Sequence, residues 1–251
     1  MNYSEIVLLT KSYKECDIKA FVNHHLNWCG FDHITIYDND TICCDITELF
    51  KDNDKVNVIK VPGKVNHLEL VNKHHKNSKY DWQFYIDDDE YLWFDKNKIE
   101  TINGFLQYLD SKQIKEFGVY WQFISYKTGE QAEDRNQCFT KECFYVPDKP
   151  FFTHLKVFVN KSAQNGSFLN PHIYYPYPVQ TLTGITKSPN CTRDVSNDFI
   201  KLYHYFYRTK KEWEEKLNRI RPDLGKKFKD AKTCNGDELI YNVKDKSMVN
   251  V

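Results

Sequence analysis

The densest chemistry in this 251-residue sequence is the run Asp87-Asp88-Asp89-Glu90. It follows the apolar, aromatic stretch 82–86 and precedes a second one at 91–94. The spacing Asp87-x-Asp89 brings two carboxylates within reach of one hard cation. Mg2+ and Mn2+ take oxygen ligands and commonly keep positions open for phosphate oxygens. A solvated acidic turn is the plainer account of a short acidic triplet. The apolar flanks argue against it, because they put these carboxylates just beyond a buried strand. Two other acidic groups fall at expected strand ends: Asp38 with Asp40, and the 127–134 loop with Glu130, Glu133 and Asp134.

Composition narrows the partners. Lys and Arg number 35 and so do Asp and Glu. A chain without basic excess is not expected to hold nucleic acid, although a small anionic ligand fits two or three residues. The apolar run near the start is too short and too flanked by charge for a signal peptide, and no stretch approaches the roughly 20 apolar residues of a membrane span. The expectation is a soluble, cytoplasmic protein. In that compartment the eight cysteines read as thiols. Cys43 and Cys44 are adjacent, but no C-x-x-C pair occurs, so a zinc site is not expected.

The elements that must position the acidic run alternate through the first half. Strands are expected over 5–10, 33–37, 56–61 and 83–87. Helices are expected between them, at 18–26 on the face of Ile18, Phe21, Val22, His25 and Leu26, at 45–50, and at 67–79. Gly30 suits a left-handed cap, and Asp38-Asn39-Asp40 is turn chemistry. This rhythm predicts an α/β fold with a mostly parallel, doubly wound sheet and helices on both faces. One more helix is expected around 99–109. Strand-like runs follow at 117–125, 138–145, 155–160 and 201–207, with a loop at 171–178 and a capped helix from 209. No linker is visible, so 1–251 reads as a single domain, with 1–98 as its nucleotide-binding half and 99–251 as its acceptor-binding half. In such sheets ligands bind at the carboxyl ends of the strands.

Trp82-Gln83-Phe84-Tyr85-Ile86-Asp87-Asp88-Asp89-Glu90-Tyr91-Leu92 resembles the W-x-x-x-x-D-x-D-E-F/Y-L segment of glycosyltransferase family 92 and its family-2-like relatives. Phe21 and His25, followed by Gly30-Phe31-Asp32-His33 and Tyr37-Asp38-Asn39, are similar to that group's upstream block. Trp121-Gln122-Phe123 resembles its W-x-x-F strand. Lys156 stands where the group has a lysine, and His204-Tyr205 resembles its H-Y element. The group's N-terminal K-N-E is replaced by Lys11-Ser12-Tyr13-Lys14-Glu15, and the glycine after W-x-x-F is missing.

The resemblance implies a GT-A fold and a metal-dependent glycosyltransferase moving a hexose from a UDP-sugar to a glycan hydroxyl, with inversion. It implies Mn2+ or Mg2+ held by Asp89, more weakly by Asp87, and by His204 as third ligand. Thr10, Lys11, Asp38, Asp87 and Lys156 would contact the donor. Glu130, Glu133 or Asp134 would supply the base, with Asp237 and Glu238 in reserve. Trp121, Tyr126, Tyr174 and Tyr175 could stack on acceptor sugars. A metal-dependent phosphoesterase or nuclease, and a non-catalytic nucleotide-sugar-binding module, are the competing readings.

Overall fold

The structure is a computed structural model. It describes residues 3–11, 15–123, 143–145, 153–163, 165–176, 178–191, 195, 197–205, 210–218, 220–221, 226–227 and 243–245. The chain groups into two compact units, Met1–Trp121 with Phe152–Leu202, and Gln122–Phe151 with Tyr203–Val251.

The first unit opens with β1 (Ser4–Thr10), α1 (Glu15–Asn23), which runs on as a π-helix over His24–Cys29, β2 (His33–Asp38), α2 (Ile46–Leu49) and β3 (Val56–Lys60). It continues with α3 (His67–Asn77), β4 (Trp82–Tyr85), β5 (Glu90–Phe94), α4 (Ile102–Ser111) and β6 (Glu116–Phe123), whose end passes into the second unit. In the second unit β7 (Cys143–Tyr145) pairs with a later strand, Val243–Asp245. The first unit resumes with β8 (Thr153–Asn160), β9 (Ser167–Asn170), β10 (Ile173–Tyr175), β11 (Val179–Thr181), β12 (Gly184–Thr186) and β13 (Asn190–Cys191). β14 (Ile200–His204) crosses back into the second unit, which also holds α5 (Lys210–Asn218).

The main sheet runs β12-β11-β6-β8-β4-β1-β2-β3. β4, β1, β2 and β3 are parallel, as the alternation of strands and helices predicts. β8 runs antiparallel to both β4 and β6. The chain leaves the first unit at the end of β6 and returns into β8, so the returning strand enters from the edge at which its partner left. The result is a mixed, mostly parallel α/β sheet.

Helices cover both faces. Phe84 and Phe158 are cross-strand partners whose rings stack at 3.9 Å, with Phe31 beside them, while Phe105 of α4 meets Phe117 of β6 at 5.1 Å. On the opposite face Tyr85, Val157, Val159 and Phe168 pack with Val71 of α3. β1 is covered on both sides, which explains its unbroken apolar run. Side-chain caps start the helices: Asp45 accepts from Thr47 and Glu48, Asn66 from Glu69, and Thr101 from Gly104. Gly30 ends the π-helix at φ 82°, the left-handed cap expected there.

One expectation changes: 171–178 contains β10 where a loop was expected, while the apolar flank 91–94 forms β5 with Glu90. Tyr174 of β10 is buried, its N–H donating to Glu116 and its hydroxyl to the Ala163 carbonyl, so tertiary bonds make a strand of a Pro-studded segment. Among the described residues no helix is long and apolar enough to cross a membrane.

Candidate functional site

The chain leaves β1 for β2 and β3 on one side and returns to β4 on the other. The carboxyl ends of β1 and β4 therefore flank the point where strand order reverses, where open α/β sheets hold their ligands. Thr10 ends β1, and the acidic turn 86–89 follows β4. The Thr10 hydroxyl donates to Asp88 Oδ2 at 2.7 Å, tying the two strand ends together. Thr10 is also the register partner of Asp38, and its carbonyl accepts from the Asn39 N–H at 2.8 Å. Thr10, Asp38 and the acidic turn thus gather on one edge.

Lys156 fixes the turn from β8. Its Nζ donates to Asp87 Oδ2 at 2.8 Å and stands 3.4 Å from Glu90 Oε2. Glu90 also accepts from the Asp87 N–H at 2.9 Å, closing the turn on itself. Lys156 is buried, whereas the Asp87 side chain is 46% exposed. Burial alone would neutralise the lysine, but the charges of Asp87 and Glu90 outweigh it and hold the ammonium above its ordinary range. Burial likewise pushes Asp87 up, yet Lys156 wins and keeps its carboxyl below the usual value. Glu90 is buried completely, and there desolvation wins: its carboxyl is held well above the ordinary range. Asp87 thus stays a carboxylate at the head of the Asp87-x-Asp89 turn, and carboxylate oxygens are the donors a hard divalent cation takes.

Sequence reasoning missed His67. It begins α3 and lines a small pocket with Tyr85, Asp87, Lys156 and Phe168. Burial depresses its imidazole pKa, Lys156 adds to that, and Asp87 opposes it. A histidine at the first position of a capped helix carries no sequence signal that separates it from any polar residue. The Trp121 ring lies 5.8 Å from Lys156 Nζ, and its centroid is 5.1 Å from that of His154 and 5.2 Å from that of His172. Burial and the lysine charge press His172 down to about 3.

Lys11 is exposed just past β1. Asp38 is buried, and its Oδ1 accepts from the Thr41 N–H at 3.0 Å, a turn-forming bond. Asp89 lies half-buried in the turn. His204 ends β14 and is buried in the second unit. Tyr174 is core and Tyr175 exposed. Tyr126, Glu130, Glu133, Asp134, Asp237 and Glu238 lie outside the described residues.

A second set of residues supports the turn from behind. His24, His25 and Cys29 are buried on the π-helix, with possible ligand atoms within 4.8 Å of one another. All three bind the backbone of one residue: His24 Nε2 bonds the Leu92 carbonyl at 2.7 Å, the Leu92 N–H donates to His25 Nε2 at 3.2 Å, and Cys29 Sγ reaches the same carbonyl at 3.3 Å. His25 Nδ1 donates in turn to the Phe21 carbonyl at 2.9 Å. Burial holds both imidazoles below their ordinary value, so they stay neutral and can clamp β5 immediately after the acidic turn.

No protein-family model matches the chain, and no curated protein matches it. Among solved structures it is similar to S. aureus TarS 1–349 in complex with UDP-GlcNAc, at 16% identity and a TM-score of 0.37 over 53% of this chain and 38% of that one. A second structure of S. aureus TarS 1–349 matches at 11% identity and a TM-score of 0.39, over 65% and 48%. The 4-diphosphocytidyl-2C-methyl-D-erythritol synthase of Anaerococcus prevotii matches at 10% identity and a TM-score of 0.34, over 64% and 73%. The chain spans less than half the length of the TarS chains it matches. Scores this low assign it neither ligand nor reaction.

Proposed function

We propose that this chain is a GT-A-type glycosyltransferase that moves a hexose from a UDP-sugar to a glycan hydroxyl with inversion, using Mn2+ or Mg2+ held by Asp87 and Asp89. The observation that carries this reading is the Asp87-x-Asp89 turn at the carboxyl ends of β1 and β4, next to a buried lysine that keeps Asp87 ionised. A bound divalent cation would supply Lewis-acid stabilisation of the diphosphate leaving group. Lys156 fixes one oxygen of Asp87; the other takes no hydrogen bond from the described residues. Thr10 holds the neighbouring aspartate by its hydroxyl. Asp38, on the same edge, can accept the ring N–H of uracil while backbone groups near Thr10 serve its carbonyls. The base that takes the acceptor proton is sought among Glu130, Glu133 and Asp134.

The test is UDP release from a panel of UDP-sugars with Mn2+, with and without EDTA. Slow donor hydrolysis that EDTA abolishes, and that Asp89→Ala loses with an unchanged melting curve, supports the transferase. UDP-sugar binding without turnover would make the chain a binding module. Phosphodiester cleavage without sugar release would make it a metal-dependent phosphoesterase.

A further inference from the structure

Cys43 and Cys44 lie in the loop between β2 and α2, and their Sγ atoms stand 3.6 Å apart. Adjacency does not produce that distance by itself, because successive side chains of an extended segment point to opposite sides. Here the chain bends at both residues and the two sulfurs turn towards each other. Both residues are partly exposed, and neither belongs to a disulfide.

The loop that carries them is pinned along its length. Before the pair, the Thr41 N–H donates to Asp38 Oδ1 at 3.0 Å, and the Gly63 N–H donates to Asp40 Oδ2 at 2.9 Å. Asn39 Nδ2 donates to the carbonyls of Val61 and Gly63 at 2.7 and 2.8 Å. After it, Asp45 caps α2 and pairs with Lys60 at 3.3 Å. The thiols are therefore held together before any ligand arrives, which removes part of the ordering cost of binding.

The spacing selects the chemistry. A disulfide needs its sulfurs at about 2.0 Å and Cα atoms usually about 4.4–6.8 Å apart, whereas adjacent residues joined by a trans peptide fix them at about 3.8 Å. Oxidation would thus strain the pair. Two thiolates on one tetrahedral soft ion, with metal–sulfur bonds of about 2.3 Å, stand about 3.8 Å apart, close to the separation already present.

We propose that Cys43 and Cys44 form a two-thiol chelating site for thiophilic ions, soft divalent cations and trivalent arsenic alike. With a monosubstituted arsine oxide the step balances without oxidant or reductant. Two As–S bonds form, the As–O double bond is lost, and the oxygen leaves as water with both thiol protons.

Phenylarsine oxide is the probe. On the reduced full chain, one equivalent should remove two titratable thiols, and peptide mapping should place the bridge on 43–44. Excess 2-mercaptoethanol should leave the adduct in place and dimercaptopropanol should remove it. Cys43→Ser and Cys44→Ser should each weaken binding at least about a hundredfold, since the second bond of a chelate forms at high effective concentration. Should either variant fold poorly, the wild-type chain gives the same answer: the arsenical should protect both cysteines from iodoacetamide, and so should Cd2+. A bridge on another cysteine pair, one thiol consumed per arsenical, or full affinity in a folded Cys43→Ser chain would overturn the proposal.

Discussion

Buried carboxylates occupy both edges of the main sheet, and their surroundings differ. At the amino edge, Glu5 of β1 has its demands met: Oε1 accepts from Thr35 at 2.6 Å, and Oε2 accepts from His74 Nε2 at 2.9 Å and from Ser78 at 2.8 Å. His74 passes the network on to the Tyr37 hydroxyl at 2.7 Å. Burial would raise the Glu5 pKa, but these hydrogen bonds outweigh it and hold the carboxyl below its ordinary value. At the carboxyl edge, Lys156 stabilises Asp87 but leaves Glu90 with one buried oxygen, Oε1, lacking a partner. Its carboxyl is driven up. A closed network welds α3 to β1 and β2. An open one, with a buried carboxyl oxygen left unpaired, is costly unless something else binds there.

The largest effect should come from breaking the open network. Lys156→Met takes a charged donor from half-exposed Asp87 and from buried Glu90, two hydrogen bonds worth about 1.5–3 kcal/mol each. Urea unfolding at pH 7 should show a loss of that order. Adding Glu90→Gln should recover part of it, because an amide there cannot ionise and needs no ammonium beside it. A Lys156→Met chain as stable as wild type would mean that the pair contributes nothing and that the two edges do not differ.

Glu116 sharpens the comparison, because it lies at the amino edge but is only half satisfied. Oε1 accepts from the Tyr174 N–H at 2.8 Å, Oε2 has no partner, and burial pushes its pKa up to about 8. The folded chain therefore keeps a proton that the unfolded chain releases near 4.5. Stability falls as pH rises between those values, by roughly 3 kcal/mol at pH 7. Glu116→Gln should remove that loss. The variant should be more stable than wild type at pH 7–8 and equal to it below about pH 4.5. Glu5 must show the opposite sign. Its depressed pKa contributes stability above 4.5 that is lost as pH falls through the folded value. Glu5→Gln should cost about 1.5–3 kcal/mol at pH 7, the worth of hydrogen bonds to a charged group, and less near pH 3. Parallel pH–stability curves for the two variants would refute the distinction.

The sequence shows these edges unevenly. The parallel strands β1 to β4 and their helices are legible because each is a local pattern: an apolar run, a helical face, a cap, a turn. Thr10, Asp38 and the acidic turn follow from them, since parallel strands end on one edge. β8 running antiparallel between β4 and β6 is not legible, because it depends on where the chain leaves and re-enters the first unit. For the same reason Lys156, singled out in the sequence as a donor contact by the resemblance, gives no hint there that it anchors the acidic turn. His25 lies on the helical face that periodicity predicts, yet its bond to the Leu92 peptide spans 67 residues. Partners so distant leave no spacing rule to find.

The smallest expected effect tests the comparison most directly. Thr10 donates its hydroxyl to Asp88 Oδ2 across the crevice, and both belong to the first unit. Thr10→Val keeps the β-branched shape that suits a central strand and removes only the donor. The loss in stability should be about 1 kcal/mol, the net worth of one hydrogen bond. If the carboxyl edge serves a ligand, losing the Thr10 donor loosens carboxylates arranged for it, and the cost should fall on binding. Mn2+-dependent UDP affinity measured by calorimetry should then drop about tenfold, or roughly 1.4 kcal/mol. The melting temperature should move by only a few degrees. A variant that loses several kcal/mol of stability while binding UDP as wild type does would place the Thr10–Asp88 bond with the Glu5 network, as part of the weld and not of the site.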